Sequence, residues 1–372
     1  MKILALLPTY RPAGYPGKIG GGEISNRILL EGLAAVGHQV TVLAFSGGGV
    51  HDSISNGVRV VETPGSNFGA TVDWFVKRLL YRRYAHSLIA ENEPNVLLAA
   101  TDAMAIGVAL GKHYRIPVAV FIRAFENLEA TSRNGIACIL HPKTLVKRAL
   151  LGDSGPNALK RADLLLPNSK YMENLCQERV AEALTEVVYP PLDIHISEQC
   201  PPQTLRMASM VGTSPKKGTA LVSSIAKRVP ELGFRIVGCP DLAPGDSVTD
   251  RNLVRVGWCD TEVEFRERAD IVLVPSLWNE PFGRVAIEAL AAGKIPFVAD
   301  VGGLPEAVAY ERDLIIQAND ESSWVARLKD AIDCPEKYRA AAASARASIG
   351  RFEFGMQVVN MGKALERLTV SL

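Results

Sequence analysis

Two glutamates eight positions apart, Glu280 and Glu288, are the residues whose type and spacing point most directly to chemistry. The turn-like segment Phe282-Gly283-Arg284 separates them and leads into the apolar, alanine-rich run Val285 to Ala292, which predicts a helix. Eight residues of helix would place the carboxylates roughly 12 Å apart, too far for both to act on one carbon. They could instead bind the two ends of one ligand, with a phosphate at the positively polarised helix start between them.

A purely structural role for these glutamates is also open, because the helix dipole alone favours Glu near a helix start. The spacing by itself favours the structural role, so the choice between the two roles depends on the neighbouring sequence. The apolar run Ile271 to Val274 predicts a buried strand before Glu280. Glu280 would then follow the carboxyl end of a strand, where parallel α/β sheets bind their ligands.

Apolar, strand-length runs alternate with helical patterns along the chain, which is typical of parallel sheets covered by helices. The first series of runs is Ile3–Leu7, Gln39–Ala44, Val58–Glu62, Val96–Ala100, Val118–Phe121 and Leu164–Pro167. The second series is Leu205–Val211, Phe234–Val237, Leu253–Val256, Ile271–Val274, Ile295–Val298 and Leu314–Ile316. Tyr189-Pro190-Pro191 separates the series and predicts a hinge, because proline stiffens a connector. We therefore predict an α/β fold of two doubly wound halves, residues 1–189 and 190–352, and a helix over 353–372 that could pack on either half.

Composition excludes several classes of protein. A formal net charge of +1 over 372 residues gives no global reason to expect nucleic acid as a partner. Six cysteines without a CxxC pair or metal-ligand spacing predict free thiols, a reducing compartment and no bound metal. The first apolar run is short for a signal peptide and no stretch is long enough to span a bilayer, so we expect a cytoplasmic protein.

Four further segments stand in a characteristic order with the acidic segment Glu280–Glu288. They are Gly20–Glu23 (GGGE), Ala162–Ser169 (ADLLLPNS), Val211–Gly218 (VGTSPKKG) and Gly302–Glu306 (GGLPE). With these segments together, the chain resembles the retaining glycosyltransferases of family four, also called group 1, over nearly its whole length.

The resemblance implies two facing Rossmann-like domains, the GT-B architecture. It implies that a nucleoside diphosphate sugar is held mainly by the second domain and the acceptor mainly by the first. Glu280 would then lie near donor sugar hydroxyls and Glu288 would bind the ribose hydroxyls. Main-chain N–H groups around Phe282, Gly283 and Arg284 would meet sugar or phosphate oxygens, with Gly283 allowing close approach of the ligand.

The same resemblance assigns Lys217, with Lys216 as the second choice, to the diphosphate, whose charge grows as it leaves. A solvated turn lysine is the alternative. Family members often carry arginine where Thr213 stands, so one cation is missing here unless Lys216 replaces it. Trp258 falls in the region that meets the nucleobase and would either stack on the base or be buried in the core.

In the first half, Gly21 and Gly22 are expected on a loop whose main-chain N–H groups reach an anion or a sugar, and Glu23 to Leu33 on the helix that follows. A flexible loop is the alternative, and no GxGxxG fingerprint is present. Arg123 stands near the position where many family members place a histidine that touches the donor sugar. It would either line the site or pair at the surface with a glutamate such as Glu126.

Asp73 to Ile89 mixes basic and aromatic residues and predicts a helix. Such a helix could make peripheral contact with the inner face of a membrane that carries a lipid-linked acceptor. We favour the alternative, a solvated face opposite a buried stripe.

The predicted activity is transfer of a hexosyl-type unit to a hydroxyl of a sugar, glycan, lipid-linked or small-molecule acceptor, with retention and without a metal. A sugar-nucleotide hydrolase, epimerase or phosphorylase on the same scaffold is the strongest alternative. The chain lacks the dinucleotide-binding fingerprint that a nicotinamide-dependent dehydrogenase needs. A solute-binding protein would be expected to carry an export signal, and we expect none here. The sequence does not identify the base, the transferred sugar or the acceptor.

Overall fold

The computed structural model describes residues 1–13, 20–45, 51–63, 69–128, 156–192 and 203–370. The chain forms two compact units, one of Met1–Pro191 with Phe354–Leu372 and one of Leu192–Glu353. Among the residues described, each unit contains one seven-stranded sheet. The divisions thus follow residues 191 and 353, where the sequence predicted residues 189 and 352.

The sheet of the first unit has the order β3-β4-β2-β1-β5-β6-β7. Its strands are β1 (Lys2–Leu6), β2 (Gln39–Phe45), β3 (His51–Ser55), β4 (Val58–Thr63), β5 (Val96–Ala100), β6 (Val118–Ile122) and β7 (Leu164–Pro167). β3 runs antiparallel to β4, and the other pairs are parallel. Ile3 on β1 lies opposite Val40 on β2 and Val96 on β5, which sets the register at the centre of the sheet.

Helices cover both faces of this sheet. They are α1 (Gly21–Ala35), α2 (Gly69–Asn92), α3 (Met104–Tyr114), α4 (Pro156–Leu159) and α5 (Lys170–Arg179), with 3₁₀ turns at Thr101–Ala103 and Phe125–Asn127. Successive β1 residues enter different cores, Ile3 and Ala5 on one face and Leu4 and Leu6 on the other. This follows from the alternation of side chains along a strand and explains why the buried strands are continuously apolar.

The second unit repeats the arrangement with the order β10-β11-β9-β8-β12-β13-β14. Its strands are β8 (Met207–Val211), β9 (Gly233–Val237), β10 (Ser247–Asp250), β11 (Leu253–Val256), β12 (Ile271–Val274), β13 (Ile295–Ala299) and β14 (Ile315–Ile316). Here β10 runs antiparallel to β11, and the other pairs are parallel.

The helices of the second unit lie between these strands and after the last of them. They are α6 (Thr219–Arg228), α7 (Thr261–Val263) continued by a π-helix at Glu264–Arg268, α8 (Arg284–Ala291), α9 (Leu304–Ala307), α10 (Glu321–Asp333) and α11 (Pro335–Ala347). Short 3₁₀ turns lie at Pro215–Lys217, Arg312–Leu314 and Ile349–Phe352.

The last helix, α12 (Phe354–Val370), belongs to the first unit and packs on α1. Its buried residues Val358 and Met361 share a core with Leu29 and Leu33 of α1. The contact is close, because a Cβ atom added to Gly32 would lie 2.3 Å from Val358.

All twelve predicted runs are strands, so the predicted doubly wound α/β fold is confirmed. The sheets are not purely parallel, however, because each has an antiparallel edge strand, β3 or β10, that the sequence did not predict. Within the described ranges, no helix combines the length and apolar character that crossing a bilayer requires.

Candidate active site

The carboxyl ends of β8 and β12 meet at the point where the strand order of the second sheet reverses. The strands pair in parallel, with Ala208 opposite Ile271 and Met210 opposite Leu273. Ligands of open α/β sheets bind at such a reversal, beyond the carboxyl ends of the strands. Lys217 lies on the loop after β8 and Glu280 on the loop after β12, so both leave the sheet at this point.

Glu280 and Lys217 are in direct contact. Lys217 Nζ donates a hydrogen bond to Glu280 Oε1 at 2.6 Å, and Ser276 Oγ donates to the same oxygen. Glu280 is 8% exposed, whereas the Lys217 side chain is 32% exposed. The fold therefore brings together a nearly buried carboxylate and a cation that still reaches solvent.

Two neighbouring loops fix the backbone around Glu280. The Leu277 N–H donates to the Lys216 carbonyl at 2.8 Å, and the Gly303 N–H donates to the Glu280 carbonyl at 2.8 Å. Gly302 has φ +58° and lies so close that an added Cβ would be 2.2 Å from the Glu280 carbonyl oxygen. The glycines of the Gly302–Glu306 segment thus support the loop that carries Glu280.

Glu288 lies one turn into α8 and is also nearly buried. Arg284 Nε donates to Glu288 Oε1 at 2.6 Å, an ion pair at helical i,i+4 spacing. The estimate of roughly 12 Å between the two carboxylates assumed eight residues of helix from Glu280. Because α8 begins only at Arg284, that estimate does not apply. The structure shows Glu288 held by a cation at the start of the helix.

Two residues between the glutamates, Phe282 and Gly283, pack against other parts of the same unit. The buried ring of Phe282 stands edge-on to Phe352, with ring centroids 5.3 Å apart. A Cβ atom on Gly283 would lie 2.9 Å from Ala307 and from Leu304 of α9. The packing of α9 thus requires glycine at residue 283 whether or not a ligand approaches.

The remaining residues predicted to bind the nucleotide-sugar donor, Lys216 and Trp258, follow β8 and β11. Lys216 is exposed, with Nζ 5.6 Å from the centroid of the Trp278 ring, and Thr213 Oγ1 donates to the Gly238 carbonyl at 3.3 Å. Trp258 is 48% exposed, and its ring would be 3.4 Å from a Cβ on Gly238. Of the two roles considered for Trp258, burial in the core is therefore wrong.

In the first unit, Gly21 and Gly22 form the first turn of α1, so their predicted place on a loop is wrong. The carboxylate of Glu23 folds back over this turn. It accepts from the Gly20 N–H at 3.1 Å through one oxygen and from the Thr9 hydroxyl through the other. The positive end of α1 is thus already partly compensated by a carboxylate.

Arg123 directly follows β6 and is 8% exposed, so it does not lie at the surface. Its Nε donates to Asn26 Oδ1 at 3.1 Å and its Nη1 to the Val188 carbonyl at 2.6 Å, while Nη2 is buried and has no partner within the described part of the chain. Burial lowers the pKa of Arg123 to about 9. The side chain of Glu126, the surface partner considered for it, lies outside the described residues.

The helix predicted over Asp73–Ile89 lies within α2. Arg82 and Arg83 are exposed, whereas Arg78 and Tyr81 are buried. The side chains of α2 before residue 76, Trp74 among them, lie outside the described part of the chain. The described portion has the solvated and buried faces of an ordinary packed helix.

Among the residues described, no three His, Cys, Asp or Glu side chains come close enough to hold a metal ion. The cysteines that the structure describes, Cys176, Cys239, Cys259 and Cys334, are free thiols. Cys138 and Cys200 lie outside the described residues.

Ser276 and Trp278 were not singled out from the sequence although both lie beside predicted residues. Their position between a buried strand end and Glu280 was the available signal, because such loops carry binding residues in α/β folds. Their partners, Glu280 and Lys216, are set by the meeting of two loops that are distant in the chain.

Two models of known protein families match the chain. The family model described as "Glycosyl transferases group 1" matches residues 252–348, which include Glu280 and Glu288. The model described as "Glycosyltransferase Family 4" matches residues 19–195, which include Gly21, Gly22 and Arg123.

Curated relatives agree with these matches. The chain is 25% identical over 326 residues to an uncharacterised 42.6 kDa protein of the cps region of Klebsiella pneumoniae, covering 78% of this chain and 84% of the relative. It is 32% identical over 203 residues to the D-inositol 3-phosphate glycosyltransferase of Mycobacteroides abscessus, covering 47% of this chain and 46% of that enzyme. The match to the second relative thus spans less than half of its length.

Solved structures show the same fold. Sucrose-phosphate synthase from Thermosynechococcus elongatus has a TM-score of 0.74 at 18% identity, over 100% of both chains. The Anabaena protein HepE, solved in complex with UDP-glucose, has a TM-score of 0.70 at 19% identity, also over 100% of both chains. Because the two family models cover most of the chain in the expected order and the fold is GT-B, the chain belongs to the group 1 glycosyltransferases of family four and is a sugar-transferring enzyme.

Proposed function

We propose that this glycosyltransferase moves a hexosyl-type unit from a nucleoside diphosphate sugar to an acceptor hydroxyl with retention of anomeric configuration. The contact between Lys217 and Glu280 carries the proposal. It places a cation and a nearly buried carboxylate side by side where the strand order reverses, which is where α/β sheets bind ligands. A cation suits a phosphate and a carboxylate suits sugar hydroxyls, so the pair matches a ligand in which a phosphate adjoins a sugar.

Each part of the donor has a partner in the second unit. Lys217, assisted by the start of α8, binds the diphosphate, and Glu280 accepts hydrogen bonds from hydroxyls of the transferred sugar. Glu288 binds the ribose hydroxyls, and the exposed Trp258 stacks on the base. Lys216 lies on the Trp278 ring and serves as a second cation near the diphosphate.

The transfer uses the leaving group as its base. As the bond from the anomeric carbon to the diphosphate oxygen breaks, that oxygen takes the proton of the acceptor hydroxyl, whose own oxygen bonds to the same face of the sugar. Lys217 and the α8 N-terminus stabilise the negative charge that develops on the diphosphate. We propose that no metal ion is needed, because these groups already supply the positive charge.

The acceptor belongs to the first unit in this proposal. The Glu23 carboxylate lies at the start of α1, so acceptor hydroxyls suit this end of the helix better than a second anion. Gly21 and Gly22 would contribute main-chain N–H groups, and Arg123 would line the site. The acceptor is a sugar, glycan or lipid-linked hydroxyl, and vesicle flotation would show whether α2 contacts a membrane.

Thermal-shift measurements with UDP, GDP and ADP and their glucose conjugates test the donor class, because a bound ligand raises apparent stability. UDP has priority because HepE was solved with UDP-glucose. In Glu288→Gln, loss of a charged hydrogen-bond acceptor should weaken binding of the nucleotide about 10- to 100-fold.

Glu321→Gln is the matched control, since Glu321 pairs with Arg228 at 3.1 Å on the surface of the same unit. It should bind the nucleotide as the wild type does. NMR of the product should show the anomeric configuration of the donor. Inverted product, release of free sugar alone, or unchanged binding in Glu288→Gln would contradict the proposal.

A further inference from the structure

The carboxylate of Glu280 is held through one oxygen by two unlike donors. Ser276 Oγ and Lys217 Nζ both donate to Oε1, the lysine at 2.6 Å. Ser276 is 0% exposed and lies on the same loop as Glu280, whereas the Lys217 side chain lies on another loop and is 32% exposed. One donor is thus enclosed and the other reaches solvent.

This arrangement leaves the second oxygen available. A carboxylate oxygen accepts about two hydrogen bonds, so Ser276 and Lys217 together satisfy Oε1. Among the described residues, no donor contacts Oε2 of Glu280. A ligand hydroxyl that bonds to Glu280 would therefore meet Oε2.

Lysine also differs from serine in how it can move. Lysine carries a compact charge on a flexible four-carbon stem with rotatable donors, so it can change partners at little cost. A buried serine hydroxyl four residues before Glu280 has no comparable reach. If Lys217 were the sole side chain holding Glu280, its movement to a phosphate would leave the carboxylate without a side-chain donor.

We propose that Ser276 is a positioning residue that keeps Glu280 fixed, with Oε2 directed to the donor sugar, while Lys217 exchanges Glu280 for the diphosphate. The inference rests on the proposed function, because it presumes a nucleoside diphosphate sugar as donor. The support of the Glu280 backbone by Gly303 keeps the main chain in place during the exchange.

The same unit offers a matched control. Ser209 on β8 is 0% exposed, and its Oγ donates at 2.8 Å to Oε1 of Glu264, which also accepts from Arg235 Nε at 2.6 Å. Ser209→Ala therefore removes the same kind of hydrogen bond from a serine, carboxylate and cation cluster that takes no part in donor binding.

Titration calorimetry of the wild type, Ser276→Ala and Ser209→Ala with UDP, GDP and ADP and with their glucose conjugates tests the inference. In Ser276→Ala, affinity for the preferred nucleoside diphosphate should stay within twofold of wild type. Its sugar conjugate should bind about tenfold or more weakly, because the carboxylate that meets the sugar is no longer fixed. Ser209→Ala should leave both affinities unchanged.

Retained affinity for the diphosphate alone shows that Ser276→Ala is folded around the site. Equal loss of affinity for both ligands would make Ser276 a residue that merely holds the loop, and unchanged affinities for both ligands would show that it positions nothing. Either result overturns the inference while the proposed donor class stands. A wild type that binds none of the probes overturns the donor class and the role of Ser276 with it.

Discussion

Replacing Gly302 by alanine tests whether the loop after β13 supports Glu280 as closely as the structure shows. Gly302 has φ +58°, where a residue with a side chain is strained by about 1–2 kcal/mol. An added Cβ would be 2.2 Å from the Glu280 carbonyl oxygen and 2.6 Å from its nitrogen. Main-chain atoms cannot turn aside, so overpacking should add about 1–3 kcal/mol. We expect a total cost of about 2–5 kcal/mol.

Gly245→Ala separates the two contributions. Gly245 has φ +87°, but an added Cβ there would meet nothing within 4 Å. It should therefore show the cost of backbone strain alone, about 1–2 kcal/mol. The difference between the variants, about 1–3 kcal/mol, then measures the contact with Glu280.

Urea unfolding followed by circular dichroism gives the comparison. With a dependence of roughly 2–3 kcal/mol per molar urea, a difference of about 2 kcal/mol moves the midpoint by roughly 0.7–1 M. Because the chain has two compact units, midpoints are compared and a single two-state transition is not assumed. Transfer activity should fall in Gly302→Ala and not in Gly245→Ala. Equal midpoints and equal activities would refute the close support of Glu280.

Three further predictions concern residues away from the candidate site. Arg235→Met should destabilise the protein by about 3–5 kcal/mol, because it leaves the buried Glu264 carboxylate without its cation; a loss below about 1 kcal/mol in urea unfolding would contradict this. Burial, reinforced by the charge of Glu173, raises the pKa of the Cys176 thiol to about 12. Iodoacetamide at pH 8 should therefore leave Cys176 unmodified until the chain unfolds, and peptide mass spectrometry would show this. Tyr81→Phe should cost about 1 kcal/mol, since the buried hydroxyl donates to main-chain carbonyls of β2 and of the residue after β1; an unchanged unfolding midpoint would count against that role.

Most of the strands that the sequence predicted are buried on both faces, although β11 has Arg255 exposed. Val96–Ala100, Leu164–Pro167 and Ile271–Val274 match in their bounds, because a strand covered on both sides has to be continuously apolar. β3 and β10 escaped prediction for the opposite reason. Both are exposed edge strands with polar residues, so hydrophobicity gives them no signal.

The candidate site could be predicted only where the information is local. Glu280 was predicted from the strand end before it, Glu288 from its spacing into the predicted helix, and Lys217 from the resemblance of the Val211–Gly218 segment to the family. Three contacts of Glu280 were not predicted, because they join segments that meet only in the fold. They are the hydrogen bonds from Lys217 and Ser276 and the close approach of Gly302 to the Glu280 main chain. Arg123 shows the same limit, since nothing near it in the chain indicates that Asn26 and Val188 enclose it.

The return of α12 to the first unit has a consequence for biosynthesis. The second unit is one continuous stretch and can fold as soon as it has left the ribosome. The first unit is begun earlier but cannot cover the apolar side of α1, around Leu29 and Leu33, until Val358 and Met361 have been translated. The half synthesised first is therefore completed last, and during that interval its uncovered helix is a surface that a chaperone would recognise.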